Sequence, residues 1–96
     1  MSSKEKLSRE LLREIRKNPE FREVNDQLRF AQETGAEIAR IRKRKRLTEE
    51  ELGEKIGKDK KVIRRMEKGE YKQYTVKLLL QIAQATNTSL HVEFAD

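Results

Sequence analysis

Between Thr48 and Gly69 the sequence marks two helix starts and two helix stops in close succession, which leaves this stretch little choice of local fold. Thr48-Glu49-Glu50-Glu51 has capping-box spacing: a hydroxyl covers the backbone N–H three residues on, and the third acid reaches back. Further acids lie in the first turn, where the helix dipole favours them. Leu52 and Ile56 form the inner face of the helix that follows, and Gly57 stands where a C-cap glycine belongs. Asp59 is the next N-cap. The helix from Lys60 to Lys68 turns Ile63 and Met66 inward and stops at Gly69. The result is two short helices joined by a tight, Gly-containing turn.

The flanks carry weaker punctuation. From about Ser3 to Lys17, Leu7, Leu11, Leu12 and Ile15 recur at helical spacing and share one face. Asn18-Pro19 ends that segment and caps a second helix, with Phe21, Val24 and Leu28 on its buried stripe. Thr34 and Glu37 again have capping-box spacing, which predicts a fresh helix from about Gly35 to Lys45 with Ile38 and Ile41 inward. Beyond Gly69, Thr75 caps a helix that buries Val76, Leu79, Leu80 and Ile82 or Ala83. Ser89 to Phe94 then alternates, with Leu90, Val92 and Phe94 on one face, the pattern of a short strand that needs a partner. The expectation is a mainly all-α chain of five to six helices with a short C-terminal β-strand. A helical arm covers residues 1–33 and a domain covers residues 34–96.

Composition narrows what such a fold can do. Hydrophobic residues make up 34% and charged residues 42% of 96 residues, so the core is thin and leaves little room for an enclosed substrate cavity. There is no Cys, one His and no Gly-rich phosphate loop, and capping accounts for the acid cluster at Glu49–Glu51. No enzyme, cofactor or metal site is expected. The aliphatic run Leu78-Leu79-Leu80 is far short of a membrane span, and the amino terminus has no apolar signal core, so the chain reads as cytoplasmic.

The formal net charge is +6. Residues 40–72 hold fourteen Lys/Arg against seven Asp/Glu, while residues 1–30 hold eight against six. A basic excess concentrated around two short capped helices fits a polyanion. With Ile63, Met66 and Glu67 facing the core, Lys60, Lys61, Arg64, Arg65 and Lys68 share the outer face of the second helix of this helix-turn-helix. That arrangement suits a major groove, where Arg and Lys donate to guanine O6 and N7. Val62 is placed to press on a thymine methyl, and Lys43, Arg44 and Arg46 on phosphates, since the block of cations from Arg40 to Arg46 leads directly into the motif. The competing reading is a solvated basic surface. His91 reads as exposed filler. Tyr71 and Tyr74 serve either phosphate or loop packing.

The pattern Leu47-Thr48-x-Glu50-Glu51-Leu52-Gly53-x-x-Ile56-Gly57, followed by Val62-Ile63-x-x-Met66-Glu67-x-Gly69, resembles the lambda-repressor/Cro-like (XRE) helix-turn-helix. Asn18-Pro19-Glu20-Phe21-Arg22 upstream and Leu90-x-Val92-Glu93-Phe94 at the end are similar to HigA-type antitoxins of toxin–antitoxin operons. That resemblance implies an operator-binding homodimer that represses its own operon and silences a HigB/RelE-like toxin that cuts mRNA. It also implies that Thr48 touches phosphate and that Lys60, Lys61 and Arg65 reach base edges. Arg42 and Glu67 would be a structural pair that ties the first core helix to the recognition helix. Leu7, Leu11, Leu12, Ile15 and Phe21 would grip the toxin, although a core or dimer seam would need the same residues. Three positions depart from the family pattern: Glu49 stands for the usual Gln, Gly53 for Ala and Arg46 for a common Gly. A stand-alone repressor without a toxin, and an adaptor that uses the fold for protein contacts, remain as alternatives.

Overall fold

The computed structural model describes residues 19–94, with side chains from Arg22 onward. Leu7, Leu11, Leu12, Ile15 and the cap at Asn18 lie outside the described residues, as does the side chain of Phe21. Four α-helices follow in order: α1 Pro19–Arg44, α2 Glu49–Ile56, α3 Lys60–Glu67 and α4 Val76–Ala85. Two compact units divide the chain, residues 1–30 and residues 31–96.

The described residues hold four helices. The helix expected over residues 3–17 lies outside them, and the fresh start expected near Thr34 and Gly35 is absent, because α1 runs unbroken through both. The capping box expected there does not form, since the Glu37 carboxylate pairs with Arg40 one turn on. Gly35 serves close approach instead: a Cβ at this position would lie 1.8 Å from the Met66 carbonyl oxygen. In the first unit, Val24 and Leu28 are exposed, so these two residues of the stripe expected to be buried are not.

The core of the second unit takes Ile38 from α1, Leu52 and Ile56 from α2, Ile63 and Met66 from α3, and Leu78 and Ile82 from α4. Helix α2 packs on both α3 and α4. Leu52, Ile63 and Met66 are fully enclosed, each worth about 1.5–3 kcal/mol of apolar burial. Along α4, Ile82 and Ala83 are buried as expected, but the first turn of the buried face differs. Leu78 is buried and Leu79 half-buried, whereas Val76 and Leu80 are exposed. A run of consecutive apolar residues does not specify a face, and packing against α2 selects the i, i+4 pair Leu78 and Ile82. Buried Thr86 closes the helix by donating its hydroxyl to the Ile82 carbonyl at 2.8 Å.

Residues 88–94 form no strand. Val92 and Phe94 are exposed, and no second strand is present among the described residues to complete a ladder. Alternation alone cannot satisfy an edge on both sides.

Candidate nucleic-acid interface

Local chemistry fixes the two central helices. The Thr48 hydroxyl accepts from the Glu51 N–H at 3.0 Å, and the Glu51 carboxylate accepts from the Thr48 N–H at 3.0 Å. That second bond, more than any charge, holds the Glu51 carboxyl below the usual carboxylate range. Helix α2 ends at Gly57, whose φ of +69° is the left-handed geometry that favours glycine. Asp59 caps α3 through its carboxylate, which accepts from the Lys61 N–H at 2.8 Å. Gly69, with φ +77°, turns the chain after α3. At Gly53 an added Cβ would lie 2.4 Å from the Lys58 carbonyl oxygen, so the absence of a side chain lets α2 lie against the turn.

Ile63 and Met66 anchor α3 by one face, and the opposite face then carries charge. Lys60, Lys61, Arg64, Arg65 and Lys68 are all exposed on it. Val62 is half-buried and packs against the core cluster, so its side chain is committed inward as much as outward.

Arg42 belongs to the scaffold. Its Nε donates to Glu67 at 2.6 Å, one terminal nitrogen donates to the other Glu67 oxygen at 2.9 Å, and the second donates to the Leu47 carbonyl at 2.9 Å. Both side chains are only 12% exposed. The fork ties the end of α1 to the end of α3 and to the connection between α1 and α2, and the bond to Glu67 raises the Arg42 pKa. Lys43, Arg44, Lys45 and Arg46 remain exposed. Arg46 holds a φ of +58°, a conformation that costs an L-residue about 1–2 kcal/mol.

Two features escape the one-dimensional pattern. Glu49, in the first turn of α2, faces the Arg64 guanidinium of α3 at 3.5 Å. No spacing rule within one helix reports a pair that spans a turn. Tyr71 and Tyr74 meet edge to face with ring centroids 5.0 Å apart and pack against the core. Burial pushes the Tyr74 hydroxyl up to about 12, which fits packing better than phosphate contact. His91 is exposed. Among the described residues no group of His, Cys, Asp or Glu could hold a metal ion, and no helix is long and apolar enough to cross a membrane.

The helix-turn-helix family model HTH_3, of the XRE type, matches residues 38–92. No match is found among curated proteins or solved structures. The matched segment covers more than half of the chain and contains both capped helices, their turn and the exposed cations of α3. The protein therefore belongs to this helix-turn-helix family of DNA-binding transcription regulators.

Proposed function

We propose that the protein is the antitoxin of a toxin–antitoxin operon, which represses that operon by sequence-specific operator binding and neutralises a HigB/RelE-like mRNA-cleaving toxin. As a homodimer it reads two half-sites about 34 Å apart, one DNA turn. Lys60, Lys61, Arg65 and Lys68 reach base edges and neighbouring phosphates, with Val62 beside a thymine methyl. Thr48, Arg44 and Arg46 flank them on the phosphate side. Leu7, Leu11, Leu12, Ile15 and Phe21 grip the toxin as an amphipathic helix laid in a groove.

One observation carries the toxin half of this reading. The family match begins at residue 38 and the compact unit at residue 31, so the preceding stretch is surplus to the DNA-binding module. Within that stretch Val24 and Leu28 are exposed.

Co-expression with the product of the neighbouring gene tests the proposal. The expected result is a stable complex and rescue of growth, both lost in Leu7→Asp/Leu11→Asp while DNA binding is retained. A neighbour that neither binds nor is toxic sinks the antitoxin reading. If removal of residues 1–17 then abolishes the dimer, a stand-alone repressor is the better description.

A further inference from the structure

Among the described residues of the basic α3 face, Arg64 alone makes an ion pair, and its partner is on the other helix of the motif. Lys60 and Lys61 lead α3, whereas Arg64 lies a turn further along and reaches Glu49 in the first turn of α2 at 3.5 Å. In a helix-turn-helix the second helix enters the major groove with its N-terminal residues at the bases, and the first helix crosses the backbone. Glu49 therefore places a carboxylate on the side that meets phosphate, where an unscreened like charge is repelled.

We propose that Arg64 is a bridging and positioning residue rather than a base reader. Glu49 holds its guanidinium at the edge of the interface, where it screens the carboxylate and presents its remaining N–H groups to a DNA phosphate. Nε makes the 3.5 Å contact to Glu49, and among the described residues no hydrogen bond engages the terminal amino groups, which can donate to a second acceptor. The exposures suit an interface that admits a ligand: 49% for the Arg64 side chain and 26% for Glu49. Exposed pairs of this kind add little to stability, so a role in the fold does not explain the arrangement. Glu49, which by itself argues against phosphate contact at this position, becomes half of a compensated pair.

The inference rests on the DNA-binding reading, and the experiment separates the two. Binding is measured by fluorescence anisotropy against two probes over a range of salt. One is a duplex selected by the wild-type protein from a randomised pool, and the other is a random-sequence duplex of the same length. Arg64→Ala should weaken both by a similar factor, about tenfold, because it bares Glu49 to phosphate. The slope of log affinity against log salt should fall by about one. Glu49→Gln/Arg64→Ala should regain most of that loss, and Glu49→Gln alone should bind no more weakly than wild type. Unchanged melting temperatures establish that the variants fold. A loss on the selected duplex with binding to the random duplex unchanged overturns the proposal in favour of base reading. So does a double variant that binds no better than Arg64→Ala. If the wild-type protein binds neither duplex in a salt-dependent way, the DNA-binding reading itself has failed.

Discussion

Arg46 shows how one position can serve two demands that conflict. It sits in left-handed backbone where its Cβ is strained, at the junction between the cationic end of α1 and the cap of α2. A glycine there removes the strain but adds freedom to the unfolded chain, so Arg46→Gly should raise stability by a net of roughly 0.5–1 kcal/mol. The same change removes a cation proposed to meet phosphate, so DNA affinity should fall with a salt slope smaller by about one. Denaturant unfolding and salt-dependent binding of one variant check both signs. A stability gain without loss of affinity would remove Arg46 from the interface.

Among the elements, α2 is the most explicitly encoded, and its N-terminus carries a titratable bond. Glu51 has a folded pKa below its ordinary value, chiefly because it accepts from the Thr48 N–H. The stabilisation it adds is therefore fully present above the ordinary carboxylate pKa of 4.5 and is lost as the pH falls through the lowered value. Gln can make the same backbone bond without titrating. Glu51→Gln should melt close to wild type at neutral pH and lose less of its melting temperature on acidification below about pH 4.5. Equal losses in both proteins would remove this bond from the acid response. The legibility of α2 also has a local cause. Thr48, Glu51 and Gly57 each act within one turn of their own position, so their spacing reports their partners. Helix α4 had only its cap, Thr75, written this way. Its buried face was decided by α2, and the run Val76 to Leu80 gave no means of choosing it.

For the molecule as a whole, the orientation of the recognition helix depends on contacts from α1. Gly35 allows α1 to lie against the Met66 carbonyl, and Arg42 grips Glu67 further along the same helix. Gly35→Ala sets two effects against each other. Higher helix propensity offers up to about 1 kcal/mol. The clash is with a backbone carbonyl that no rotamer change can move, and overpacking of this kind costs typically about 1–3 kcal/mol. The clash should win, with a lower melting temperature and weaker DNA binding although no residue of the α3 surface has changed. A stabilised Gly35→Ala would show that α1 does not need this close approach.

The sequence by itself determined the two capped helices, the turn between them and the set of cations on the outer face of α3. Those features depend on residues within a few positions of one another and on the helical period. Only the tertiary structure decided that Thr34 and Gly35 lie inside one long helix, that Leu78 rather than Val76 and Leu80 enters the core, and that residues 88–94 form no strand. It also paired Arg64 with Glu49. Each of these depends on what a side chain or backbone meets from another part of the chain, and a residue pattern read along one element carries no record of that neighbour.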